Sequence, residues 1–238
     1  MVHASDALAH DRPVPPEPSP PPPSAVAIDP AILYWGTPVV LISSTNSDGT
    51  ANLAPMSSAW WLGWGCMLGL TETAHTVTNL RRTGECVLNL PSVAQADAVD
   101  RIARTTGADP VPFDKAWLGF EHEPEKFGRA GLTPVPSTQV TAPRAAECPV
   151  QMEATVESIS PFGATNPGVP TNVVAIELRI VAVHAHPTIL EDGSTTKVDP
   201  DRWRPLVMSF RELYGLGPRA RSSRLAEVDE ELWRPPDR

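Results

Sequence analysis

"TANLAPMSSAWWLGWG" (Thr50–Gly65) sets small hydrogen-bonding residues around Pro55 beside three tryptophans, Trp60, Trp61 and Trp64. Its first half is too polar for a core strand and its second half too aromatic for a surface loop. Asn52, Ser57 and Ser58 offer side-chain donors and acceptors. Ala54 and Ala59 let a flat ligand approach the backbone, and Pro55 fixes a bend and removes one donor. This combination suits a planar heteroaromatic ring whose edge carries donors and acceptors and whose faces need apolar cover. An ordinary barrel corner has the same periodicity, so the neighbouring segments must decide.

Upstream, "TPVVLISST" (Thr37–Thr45) is a branched apolar run, and "NSDG" (Asn46–Gly49) carries the Asp-Gly signal of a hairpin, with "TANLA" as the returning strand. "GCMLGLT" (Gly65–Thr71) is a third strand. "AHTVTNLRRTG" (Ala74–Gly84) predicts a short helix closed by Gly84, with Arg81 and Arg82 favourable near its C-terminal end. "ECVLNL" (Glu85–Leu90) is a strand, and "SVAQADAVDRIARTTG" (Ser92–Gly107) a helix capped by Ser92. Residues 109–143, rich in proline, glycine and charge, predict loops with short helical turns.

"VQMEATVES" (Val150–Ser158) alternates: Val150, Met152, Ala154 and Val156 face one way, Gln151, Glu153, Thr155 and Glu157 the other. "AIELRIVAVHAH" (Ala175–His186) repeats that period, with Glu177 and Arg179 outward, and the two pair antiparallel across "PFGATNPGVP". The segment Asp199–Gly217 predicts short helix and turn. Strands on both sides of a helical insertion, without regular strand–helix alternation, predict a mainly β fold. The expected form is a mainly antiparallel barrel with helices packed around it. No GxGxxG, GxSxG, GK[ST] or HExxH motif occurs.

Composition narrows the function. A net charge of -9 over 238 residues argues against a nucleic-acid or anionic-membrane binder, and no apolar run reaches membrane-helix length. Cys66, Cys86 and Cys148 are isolated, which suggests buried thiols in a reducing cytoplasm. Proline is the outlier at 28 residues, concentrated in "RPVPPEPSPPPP" (Arg12–Pro23). Residues 1–27 are expected to be an arm of polyproline character, either a linker or a ligand for another domain. Residues 28–217 would be the barrel domain and 218–238 a tail.

A second chemical element is the crowding of Thr71, Thr73, His75, Thr76 and Thr78 at a helix start. Exposed amides there attract anions, and hydroxyls add donors for phosphate oxygens. Plain capping by Thr73 or a neighbour is the alternative. His184 and His186 share one strand face and could hold a metal, but no Asp, Glu or Cys partner is recognisable in the sequence.

Taken in order, "GTPVVLISSTNSDGTANLAPMSSAWW", "HTVTNLRRTGECVLNLPS", "CPVQMEATVESI", "ELRIVAVHAHPTIL" and "RWRPLVMSFRELYGLG" resemble the flavin reductase-like family of FMN-binding split barrels, over about 31–216. The resemblance implies an antiparallel Greek-key split barrel with peripheral helices and noncovalent FMN, with Asn52, Ala54, Pro55, Met56, Ser57 and Ser58 along the isoalloxazine. It places Thr71, His75 and Thr76 near the ribityl phosphate, with Asn79 in support. One departure stands out: where many members carry lysine or arginine before the His-Thr pair, this chain has Ala74. Arg82, Lys126, Arg144 and Arg211 are the candidate replacement cations. The resemblance further implies NAD(P)H as co-substrate and a homodimer with flavin near the seam. Electrons would pass to free flavin, a partner monooxygenase or a small organic substrate. The tryptophans would wall the pocket or that seam. Two rivals are a flavin carrier, sensor or electron-transfer module without turnover, and a cofactor-free interaction module.

Overall fold

The computed structural model describes residues 24–170 and 172–234. Most of the proline-rich arm, residues 1–23, lies outside the described residues. Residues 24–32 carry no helix or strand and separate from the unit that begins at Leu33.

That unit opens with β1 (Trp35–Pro38) and β2 (Val40–Thr45), then β3 (Ala51–Met56), β4 (Ala59–Leu62) and β5 (Gly65–Thr71). Helix α1 (His75–Thr83) leads to β6 (Glu85–Leu90). An insertion follows: α2 (Ala96–Arg101), β7 (Thr105–Thr106), α3 (Phe113–Trp117), β8 (Glu121–His122), α4 (Lys126–Ala130), β9 (Pro134–Val135) and β10 (Arg144–Ala145). Long strands β11 (Val150–Pro161) and β12 (Val173–Ala185) and a hairpin, β13 (Leu206–Ser209) and β14 (Glu212–Gly215), complete the unit. The main sheet has seven strands ordered β3-β2-β6-β11-β12-β5-β4, and its pairings are antiparallel. A smaller sheet orders β1-β13-β14.

Strand β2 explains the architecture. Its apolar run does not alternate because both faces are covered. Val40 and Ile42 join one buried cluster with Leu68, Leu70, Val77, Leu80, Leu88 and Ile176. Val39 and Leu41 join a second with Leu53, Val99, Ile102, Phe127, Ala130 and Leu206. The first fills the barrel against α1; the second holds α2 and α4 on its outside. Burying each such aliphatic side chain contributes roughly 1.5–3 kcal/mol. The β2–β3 turn forms as its sequence demands: Asp48 accepts hydrogen bonds from the Thr50 N–H at 3.0 Å and its hydroxyl at 2.7 Å, and Gly49 takes φ 87°. Gly84 ends α1 in the left-handed conformation, its N–H on the Leu80 carbonyl.

Three expectations change. Ser92–Gly107 is not one helix. Ser92 and Gln95 form a capping box over a 3-10 turn (Val93–Gln95), α2 stops at Arg101, and Thr105–Thr106 pairs in parallel with β8. The chain must leave the helix there to carry Thr105 and Thr106 back across the barrel. The segment Asp199–Gly217 contains the β13–β14 hairpin, because β1 offers an unpaired edge to Leu206–Ser209. Glu153, placed by the alternation on the polar face of β11, is fully buried. The insertion's returning loop roofs that face of β11, and the Glu153 carboxylate accepts the N–H groups of Thr138, Gln139 and Val140, the Thr138 hydroxyl and His184 Nε2 at 2.7 Å. Despite burial, these donors hold its pKa down at about 2.

The depressed pKa sets a pH dependence. Stability from Glu153 is fully present above its ordinary value of 4.5 and is lost as pH falls towards about 2. Glu153→Gln should lower stability by about 3 kcal/mol at pH 7 and flatten the acid limb between pH 5 and 2, as urea denaturation at each pH would measure. An unchanged acid limb would show that other carboxylates govern it.

Candidate functional site

The site begins with the strand β2 residues behind it. Ser44 is fully buried and its Oγ accepts from Asn79 Nδ2 at 3.0 Å and from Asn52 Nδ2 at 3.4 Å. Asn52 Nδ2 also reaches Thr76 Oγ1 at 3.4 Å. Asn46 Oδ1 accepts from Asn79 Nδ2 at 2.9 Å and faces His75 Nε2 at 2.9 Å. This network joins the β2–β3 hairpin to the first turn of α1 and sets its position.

Helix α1 starts at Ala74 without any side-chain cap. Thr73, the expected cap, instead donates to Asp114 of α3 at 2.8 Å. The first helical amides, those of His75 and Thr76, therefore find no acceptor among the described residues. They face a cleft of about 180 Å³. Strand β3 lines one side with Ala54, Pro55 and Met56; Leu70, Thr71, Ala74, His75 and Thr76 form the helix start; the insertion supplies Thr105, Thr106, Lys115, Phe120 and Lys126.

The electrostatics are one-sided. No carboxylate among the described residues lines this cleft. Lys126 is only 2% exposed, and its ammonium donates to the Thr105 carbonyl at 3.2 Å. It has no ion-pair partner among the described residues. Burial, and next the Lys115 charge, push its pKa down to about 7. Burial also lowers His75, with Lys126 and Lys115 adding to the effect, so the imidazole is held neutral at pH 7. Its Nε2 hydrogen then goes to Asn46 Oδ1, the acceptor that Asn79 also uses. A buried, unpaired ammonium costs stability unless an anion joins it. An uncapped helix start and free hydroxyls supply further donors to such an anion.

Of the residues singled out in the sequence, Ala54, Pro55, Met56, Thr71, His75 and Thr76 come together in the cleft. Asn52 and Asn79 lie behind it as struts, although Asn52 Oδ1 is buried without a partner. Ser57 and Ser58 sit in the β3–β4 turn, outside the cleft lining; Ser58 receives the Gly69 N–H through its carbonyl. Among the candidate cations, only Lys126 reaches the cleft. Arg82 donates to the Thr45 carbonyl, Arg144 to Pro136 and Gln151, and Arg211 occupies the β13–β14 turn. The sequence reading missed Thr105, Thr106, Lys115 and Phe120, because short insertion segments carry no periodic signal. It also missed Ser44 and Asn46, whose role depends on α1 packing against β2.

The tryptophans divide: Trp61 and Trp64 pack against the barrel core, whereas Trp60 is 57% exposed on edge strand β4. Burial pushes the thiols of Cys66 and Cys148 up to about 12 and raises Cys86 as well, as inert fillers require. His184 has the acidic partner the sequence did not reveal, Glu153, while His186 faces the Ala146 carbonyl. No group of three metal-ligating side chains occurs among the described residues. No helix among them is long and apolar enough to cross a membrane.

A family model for the flavin reductase like domain matches residues 34–217. The chain belongs to the flavin reductase-like family. It is 37% identical over 190 residues to an uncharacterized protein of Bacillus subtilis (strain 168), YdfE, covering 80% of this chain and 88% of that one. The fold is similar to flavoredoxin of Desulfovibrio vulgaris (Miyazaki F), with TM-score 0.68 and 19% identity over 86% of this chain and 100% of that one. It is also similar to nitrilotriacetate monooxygenase component B from Bacillus cereus, with TM-score 0.64 and 19% identity over 84% of this chain and 100% of that one. These likenesses fix the fold as an antiparallel split barrel with peripheral helices.

Close packing at Gly107 gives a test of the site's rigidity. A Cβ there would stand 2.6 Å from His75 Cδ2 and 2.8 Å from Asn52 Oδ1. Both side chains are held by the network and cannot yield without breaking it. Gly107→Ala should therefore cost about 1–3 kcal/mol in urea denaturation. A neutral result would show that this network is loose.

Proposed function

We propose that the cleft holds FMN noncovalently and that the protein is an NAD(P)H-dependent oxidoreductase. The observation that carries the reading is Lys126: a buried ammonium with no ion-pair partner among the described residues, beside an uncapped helix start. The residues present fit the group. Thr71, His75, Thr76, Lys126 and the first α1 amides would hold the phosphate, and Ala54, Pro55 and Met56 would lie along the ring. Asn52 Oδ1, buried and unpartnered, is a further acceptor beside this site.

Bound flavin supplies the hydride and electron chemistry; the chain binds, orients and shields it. Among the described residues no acidic side chain lines the cleft; burial brings Lys126 down to about 7 and lowers His75 below its ordinary value. We assign neither a proton-transfer role, which suits chemistry carried by the cofactor. The electron acceptor would be free flavin, a partner monooxygenase or a small organic molecule. A cytoplasmic location, where NAD(P)H is available, goes with this proposal.

A second copy of the chain would complete the site. The cleft's 180 Å³ falls below the roughly 300–1,000 Å³ of a full ligand pocket. Trp60 and Leu62 on edge strand β4, and Trp35 on neighbouring β1, are exposed apolar side chains of the kind homodimer interfaces bury. Sedimentation of the purified protein should show a dimer; a monomer with full flavin occupancy would contradict this.

The phosphate assignment is tested at Thr76, whose hydroxyl accepts from Asn52 and keeps its own hydrogen for the cleft. Thr76→Val should weaken FMN about tenfold to a hundredfold and riboflavin far less. Equal weakening of both would remove Thr76 from the phosphate. Steady-state NAD(P)H oxidation with flavin separates an enzyme from a carrier: turnover is expected, and its absence would leave a binding protein.

A further inference from the structure

We propose that Lys115 and Lys126 form a two-ammonium clamp for a terminal phosphate monoester, and that this clamp makes the site select FMN over FAD. The inference rests on the flavin reading above. It concerns Lys115, which no sequence motif points to and which stands on α3, in the middle of the insertion.

Lys115 and Lys126 line the same cleft from consecutive helices. The Lys115 side chain makes no hydrogen bond or ion pair among the described residues; its Nζ lies 5.7 Å from the Phe120 ring centroid. The carboxylates nearest in sequence, Asp114 and Glu123, favour the charged lysines at a distance, but their hydrogen bonds and ion pairs go elsewhere. Asp114 accepts the Thr73 hydroxyl, and Glu123 accepts the Glu125 N–H and lies 3.7 Å from Arg129. The Thr73–Asp114 bond ties α3 to the turn before α1, which brings Lys115 to the cleft that holds the helix start. Burial lowers Lys115 although the neighbouring Asp114 charge opposes the shift, the Lys115 charge lowers Lys126, and both lysines lower His75.

Two desolvated ammonium groups in one cleft repel each other, and a single dianion relieves both. A phosphate monoester carries about -1.5 to -2 charges at pH 7 on one phosphorus. Each phosphate of FAD is a diester-like monoanion, and riboflavin has none. Concentrated charge therefore favours FMN, as Coulomb attraction between partly buried groups dictates. Arg82 and His122 also contribute positive potential or polarity towards His75, but neither lines the cleft.

The test compares wild type with Lys115→Met and Lys115→Arg in the full chain, using FMN, FAD and riboflavin titrations followed by flavin fluorescence. Lys115→Met should weaken FMN by about tenfold to a hundredfold, FAD by clearly less, and riboflavin by under about twofold. Lys115→Arg should keep most of the preference for FMN. Inorganic phosphate added to wild type should compete with FMN and leave riboflavin unaffected, a measurement that needs no variant to fold. Proportional weakening of all three flavins, an unchanged FMN-to-FAD ratio, or phosphate that fails to compete would overturn the clamp while leaving the flavin site standing. Wild type that binds none of the three would overturn the flavin reading itself.

Discussion

Ser44, Asn46, Asn52 and Asn79 hold the β2–β3 hairpin and helix α1 in one fixed relation, and the site depends on that relation. Asn79 is 2% exposed and spends both amide hydrogens inward, on Ser44 and Asn46. Because the network is buried, leaving any member unsatisfied costs more than the bond itself contributes. It therefore fixes where the helix starts, and the helix start fixes where an anion can bind. His75 and Thr76 reach the cleft because Asn79, one turn later, is anchored behind it.

The insertion then supplies what the barrel lacks. Ala74 occupies the position just ahead of His75, so the barrel's own helix start carries no adjacent cation. Phe127 and Ala130 of α4 are buried against Val99 and Ile102, and this packing drives Lys126 into a place where water cannot solvate it. Apolar packing on one face of α4 thus produces the electrostatic demand on the other.

Much of this was legible in the sequence. The Asp-Gly turn, the helix closed by Gly84 and the alternating pair β11–β12 follow local rules, and each formed as those rules require. Ala54, Pro55, Met56, Thr71, His75 and Thr76 were also found, because they lie in two continuous stretches. What was missed depends on contacts distant in sequence. Glu153 looks like an outward strand residue until the loop at 138–140 folds over it. The hairpin β13–β14 forms only because β1 presents an edge. Lys115 comes from a five-residue helix and Phe120 from the connection before β8, segments whose position is set by packing and by the Thr73–Asp114 bond, not by any pattern of their own.

On the proposed reading Lys126 is a desolvated cation that a bound anion relieves, and its ammonium can be observed directly. Lysine-selective NMR titration of the flavin-free protein should show Lys126 titrating near 7. Adding FMN should raise that value, since a bound phosphate favours the charged form, and riboflavin should leave it nearly where it was. A Lys126 that titrates near the ordinary 10.5 without flavin, or that ignores FMN, would contradict the account.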